Sequence, residues 1–334
     1  MRDSFRARSI APISTDAAIC ATRLTKRYGP VEALSDLSLS VPEGSIYGFL
    51  GPNGAGKTTT IRLLMGFVRP TAGAAHLFGH DAWRDGVAAR RDLGYLVDAE
   101  ALYPDMTGVA LLDFAAHLSG RPPALRRTLL DALELSDDAT GRRLGTYSKG
   151  MRQKLALTAA IQHDPALLIL DEPTDGLDPL IQRAFEELLR ERHRQGRTIF
   201  MSSHDLAEVE RLCERVAVVR DGRLVAEETI AGLKRLHRRT AEVRFLGAVP
   251  DGLDRVPFVT VVARDDRRAE LALEGDVNPL LRFLAGYEVD LLTIVPPRLE
   301  DIFMGFYGQF PNGHEPADPG VADRESAPVL ASRR

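Results

Sequence analysis

Gly51-Pro-Asn-Gly-Ala-Gly-Lys-Thr-Thr59 is preceded by the apolar run Ser45-Ile-Tyr-Gly-Phe-Leu50 and followed by a helical run, Thr59–Phe67. The stretch fits G-x-x-x-x-G-K-[ST], with Gly51, Gly56, Lys57 and Thr58 in the fixed places. A buried strand, a glycine-rich loop and a helix start in that order make a phosphate cradle. Successive backbone N–H groups converge on the anion, and the helix N-terminus adds partial positive charge. Glycine lets the backbone approach closely and take positive φ. Lys57 is then placed to reach the β- and γ-phosphates of a nucleotide, and the Thr58 hydroxyl to ligate Mg²⁺. A chance glycine-rich turn would lack the flanking strand and helix.

Ala166-Leu-Leu-Ile-Leu-Asp-Glu-Pro-Thr174 is the second decisive stretch. A short apolar run between Pro165 and Pro173 predicts a fully buried strand. Ligands of open α/β sheets bind beyond the carboxyl ends of strands, so Asp171 and Glu172 should project toward the phosphates. Asp171 suits Mg²⁺, directly or through its water shell, and Glu172 suits polarisation of an attacking water. By itself an apolar run ending in two acids is more often a surface strand end. The phosphate loop changes that balance.

Three further stretches stand in a definite order around this strand. Tyr147-Ser-Lys-Gly-Met-Arg-Gln153 precedes it, Asp175-Gly-Leu-Asp-Pro179 follows it, and Ser202-Ser-His-Asp205 lies one apolar strand later, after Thr198–Met201. Together they resemble the nucleotide-binding subunit of an ATP-binding cassette (ABC) transporter, from about Ala18 to about Ile230. The resemblance implies an α/β fold: a P-loop NTPase core with a helical subdomain at about 99–165. It implies ATP and Mg²⁺ as ligands and ATP hydrolysis coupled to transport. It also assigns residues. Gly51, Asn53, Gly54, Ala55, Gly56, Lys57, Thr58 and Thr59 would hold the phosphates, and Tyr28 would stack on adenine. Ser148 and Gly150, ahead of the helix Met151–Ile161, would take a partner's γ-phosphate. Asp178 would link two active sites across a dimer, and His204 would reach the γ-phosphate. Glu172, His204 and Lys57 form the implied catalytic set.

Two positions depart from the family pattern. Lys149 stands where the signature usually has its first glycine, a form associated with the drug-exporter branch. Asp98, after Leu93–Val97, stands where the family has glutamine or glutamate. Being shorter, it would contact Mg²⁺ or water at longer range or through a bridge. The loop Ala99–Thr107 beyond it faces the membrane partner in the family. The implied partners are integral membrane permease subunits and a second ATP-binding subunit, an identical copy in a homodimer or a related subunit. The implied location is cytoplasmic, on the inner face of the membrane through the permease.

Composition agrees with this. A net charge of −4 gives no broad electrostatic reason to bind nucleic acid. Cys20 and Cys213 are far apart and lack metal spacing, which argues against a disulfide framework or zinc site and fits a reducing compartment. No apolar run approaches the length of a membrane span, and the N-terminal residues lack a signal-peptide core. The expected organisation is a disordered 1–17, a nucleotide-binding domain over 18–233 and a basic linker over 234–240. An α+β accessory domain over 241–310 and a disordered tail over 311–334 complete it. Two alternatives belong to other classes. A soluble cassette ATPase acting on DNA or ribosomes would carry paired cassettes, coiled-coil insertions or zinc modules. A phosphate-loop kinase or GTPase would not carry the Tyr147–Gln153 signature, and the guanine-reading Asn-Lys-x-Asp is absent.

Overall fold

The computed structural model describes residues 17–236 and 239–296, together with Leu299 and Phe303. The expected disordered tail lies outside the described residues, as do the N-terminal residues before Ala17.

The chain opens with a hairpin, β1 (Ala17–Tyr28) and β2 (Val31–Pro42), and the buried strand β3 (Ile46–Leu50). Helix α1 (Lys57–Leu64) leads to β4 (Ala72–Leu77), β5 (His80–Asp81), the short α2 (Gly86–Ala89) and β6 (Leu93–Tyr95). A helical region follows, comprising α3 (Gly108–Ser119), α4 (Arg126–Ala132), α5 (Asp137–Gly141) and α6 (Lys149–Ile161). Strand β7 (Leu167–Asp171) then alternates with α7 (Pro179–Arg194), β8 (Thr198–Ser203) and α8 (Leu206–Leu212). The hairpin β9 (Arg215–Arg220) and β10 (Arg223–Thr229) runs into α9 (Ile230–Leu236).

The central sheet has the order β10-β9-β3-β8-β7-β6, and every neighbouring pair except β10–β9 is parallel. Its strands are apolar on both faces because both are covered. Ile46 and Leu50 of β3, Leu168 and Leu170 of β7, and Ile199 and Met201 of β8 enter the core under α4, α6, α7 and α8. Their neighbours Tyr47, Phe49, Ile169 and Phe200 enter the opposite core, shared with α1 and with the antiparallel sheet β2-β1-β4-β5. The period of two along each strand therefore builds two cores from one sheet. The β9–β10 turn places Asp221 at φ 49° and Gly222 at φ 72°, the paired positive values of a tight hairpin turn.

The helical region has its own core of Leu111, Leu112, Leu130, Leu144, Tyr147 and Leu155. Gln162 ties it to the sheet layer by donating to Leu112 O (2.8 Å) and accepting from Arg126 Nε (2.8 Å). Beyond α9, strands β11 (Arg239–Phe245), β12 (Val259–Arg264) and β13 (Arg268–Leu273), helix α10 (Asn278–Leu284) and strand β14 (Val289–Val295) form a separate antiparallel sheet. Its order is β12-β13-β11-β14, and α10 covers one face through Leu280 and Leu284. Of the basic run 234–239, Lys234 belongs to α9 and pairs with Glu210 (2.5 Å), while Arg239 begins β11. Leu299 and Phe303 are buried in the core with Leu212, Cys213 and Leu233.

At the joint between α6 and β7, His163 is buried, with Nε2 donating to Leu93 O (3.3 Å) and Nδ1 unpartnered. Burial lowers its pKa from 6.5; the Leu93 carbonyl works against this and Arg121 adds to it. A histidine with a depressed folded pKa binds fewer protons folded than unfolded, so stability falls as pH drops below 6.5. His163→Gln is therefore expected to flatten the decline of Tm between about pH 7 and pH 5. An unchanged slope would show that His163 does not set it.

Candidate active site

The loop after β3 is seated before any ligand is considered. A Cβ on Gly51 would lie 2.5 Å from Val219 O and 2.9 Å from Ala55 Cβ, so only glycine fits against β9. Gly54 and Gly56 take φ of 81° and 108°, which turn the chain into α1. No acidic residue occupies the first turn of α1, leaving its N–H groups and positive dipole end for an anion. Lys57, 7 % exposed, donates to Gly51 O (2.7 Å) and lies 3.3 Å from Glu172 Oε1. Thr58 Oγ1 donates to Asp171 Oδ2 at 3.1 Å.

The two acids lie where β7 ends, and β8 positions them. Asp171 is in register with Ser202 across the parallel pair. The Ser202 hydroxyl donates to Asp171 Oδ1 and accepts from the Glu172 N–H (3.1 Å). Glu172 adopts φ 48°, a left-handed conformation that costs a non-glycine residue roughly 1 kcal/mol. Its carboxylate spans two cationic or protonatable partners. Oε1 faces Lys57, and Oε2 accepts from His204 Nδ1 (2.7 Å) and from the His204 N–H (3.3 Å). The catalytic set read from the sequence is thus one contiguous chain, Lys57–Glu172–His204.

Thr58 and Asp171 offer a hydroxyl and a carboxylate within 3.1 Å of each other, the hard oxygen donors that Mg²⁺ prefers. Among the described residues no cluster of three or more His, Cys, Asp or Glu could hold a metal. A Mg²⁺ ion here would take the rest of its shell from phosphate and water. Asp98 accepts from the Glu100 N–H (2.9 Å) and so caps the turn Ala99–Ala101. The Tyr95 phenol, raised in pKa mainly by burial, also feels Asp171 and Asp98.

Helix α6 begins at Lys149, two residues earlier than the expected Met151, which makes Ser148 its N-cap. Ser148 Oγ accepts from the Met151 N–H (3.3 Å). Among the described residues no hydrogen bond joins Ser148–Met151 to the loop Gly51–Thr59. Asp178 caps α7, accepting from Leu180 and Ile181 N–H at 3.1 Å each, which lowers its pKa. Tyr28 stands at the tip of the β1–β2 hairpin, 43 % exposed, with Lys26 Nζ 4.8 Å from its ring centre. Sequence reasoning quoted Ser202 but assigned it no role. The signal was there: a hydroxyl at the end of the strand neighbouring β7. It also missed Gln153, whose buried amide donates to Pro173 O (2.8 Å).

Comparison with known proteins bears on the same residues. Residues 34–175, which include the phosphate loop, the signature and both acids, match the ABC transporter family. The bacitracin transport ATP-binding protein BcrA of Bacillus licheniformis is 38% identical over 230 residues, 67% of this chain and 74% of that protein. The chain belongs to the ATP-binding subunits of ABC transporters. The Nod factor export ATP-binding protein I of Burkholderia orbicola is 38% identical over 305 residues, covering 90% of this chain and 98% of that protein. A solved ATP binding subunit of an ABC transporter superposes with a TM-score of 0.61 at 31% identity, over 66% of this chain and 92% of that one. This ABC subunit is an ATPase that binds ATP and works for transport. No helix among its described residues is long and apolar enough to cross a membrane.

Proposed function

We propose that this ABC subunit powers export, hydrolysing ATP between two head-to-tail copies docked on separate membrane permease subunits. The observation that carries it is the exposed start of α6. Ser148 presents a hydroxyl and a helix N-terminus, and neither is hydrogen-bonded to the chain's own phosphate loop. In a twofold pair, Gly51–Thr59 of one copy and Ser148–Gly150 of the other would hold each ATP, giving two equivalent sites. Tyr28 stacks on adenine, and Asn53 and Gly54, exposed on the loop, meet the phosphates. Lys57 neutralises the β/γ-phosphates. Glu172 orients and polarises the attacking water, and His204, held by Glu172, reaches the γ-phosphate. Asp178 lies across the interface from the partner's site. Thr58 and Asp171 would hold Mg²⁺, with Asp98 a further oxygen donor, and the ion would supply charge neutralisation on the phosphate oxygens. Positioning and charge, rather than covalent chemistry, carry such a transfer.

Export is supported by the similarity to a Nod factor export protein over 90% of this chain. Tyr103, Val109, Phe114 and Leu118 on the helical region are exposed apolar side chains available to a permease. We assign residues 18–236 to the nucleotide-binding domain, because α9 continues past the expected boundary at 233, and 239–295 to the accessory domain, whose sheet begins at Arg239 rather than 241; Leu299 and Phe303 return to the nucleotide-binding core. Affinity purification of the full chain from solubilised native membranes is expected to recover a multi-span membrane protein in comparable amount. Recovery with ribosomes or DNA instead would favour the non-transport alternative.

A further inference from the structure

The two departures from the family pattern, Lys149 and Asp98, share one electrostatic neighbourhood. Lys149 Nζ lies 2.7 Å from Asp175 Oδ2. That contact raises the lysine pKa, and Glu100 and Asp98 add to it. The first position of a helix is an unfavourable place for a cation, because the dipole is positive there. Lys149 stands at that position, so Asp175 compensates for a placement the helix alone would oppose. Two more contacts run alongside. A Cβ on Gly150 would lie 2.8 Å from Gly176 O, so the two backbones touch without room for a side chain. Gln153 Nε2 donates to Pro173 O (2.8 Å). The start of α6 is therefore clasped to Pro173–Gly176, and Pro173 directly follows Glu172.

We propose that Lys149 is a positioning residue whose pair with Asp175 sets Glu172 according to what Ser148 holds. In the head-to-tail dimer, on which this inference rests, Ser148 meets the partner's nucleotide while Glu172 of the same chain serves its own. The clasp then links the two sites inside one chain: a phosphate drawing in the start of α6 draws Pro173–Gly176 with it and aligns the hydrolytic carboxylate. Both partners of the pair are more than half exposed, so the pair adds little to stability, and its effect falls on turnover.

Steady-state ATP hydrolysis by the full chain tests this. Lys149→Ala is expected to lower kcat about tenfold, with KM within about twofold and the Hill coefficient reduced toward one. Asp175→Ala should do the same, and the double variant should be no slower than either single one. The exchanged pair, Lys149→Asp with Asp175→Lys, should regain most of the loss. Independent, multiplying effects, or an exchange no better than the single variants, would overturn the proposal. Ser148→Ala, assayed for ATP-driven dimer by light scattering, separates the two claims. If it abolishes the dimer while Lys149→Ala leaves kcat and the Hill coefficient unchanged, the clasp fails and the dimer stands. If it leaves the dimer intact, the role of Ser148 fails and the clasp falls with it.

Discussion

Glu172→Gln is expected to lower ATP hydrolysis by about a hundredfold to a thousandfold while nucleotide binding stays within about threefold. The substitution keeps the size of the side chain and an oxygen able to accept from His204 Nδ1, which now lies 2.7 Å from Oε2. What it removes is the negative charge that polarises water and that faces Lys57 at 3.3 Å. Phosphates bound at Lys57 repel that charge, so neutralising it does not weaken their binding. Bound but unhydrolysed ATP then accumulates. Single-turnover hydrolysis and nucleotide titration on the same preparation check both halves. Hydrolysis at the parental rate would remove Glu172 from the mechanism.

Lys57→Ala acts on the other side of the same contact. The ammonium is nearly buried and makes charge-assisted contacts that a bound phosphate would share. A hydrogen bond to a charged group contributes about 1.5–3 kcal/mol, so ATP affinity should fall roughly 10- to 100-fold. The variant also leaves Glu172 facing the phosphates without a counter-charge, which pushes in the same direction. Titration calorimetry with ATP measures the effect, and circular dichroism checks that the fold is retained. Unchanged affinity would contradict the placement of Lys57 among the phosphate contacts.

The central sheet and its site were largely legible because parallel strands buried on both faces read as short apolar runs. β3, β7 and β8 each end on a motif the runs delimit. The hairpin β1–β2 was harder. Leu37–Val41 reads as a half-exposed alternating strand, yet β2 spans Val31–Pro42, and Leu37, Ser38 and Leu39 are all buried. Register shifts between the paired strands break the period of two, so alternation there misleads. In the accessory domain α10 stops at Leu284, with Gly286 following closely before β14.

Within the site, single-chain motifs were readable and cross-chain positioning was not. Asp178 was read for an interface role, while its cap on α7 follows from Asp before Pro at a helix start. Asp175 carried no signal of its own; only folding brings it to Lys149. Ser202 lay in a quoted stretch, but its bonds to Asp171 and Glu172 depend on strand register that periodicity does not specify.

The most direct measurement is the solution mass of the Glu172→Gln chain, taken by light scattering with saturating ATP and again with ADP. A triphosphate held between two opposed copies predicts the mass of two chains with ATP and of one chain, 36.7 kDa, with ADP. One-chain mass under ATP that demonstrably fills the phosphate loop would contradict it.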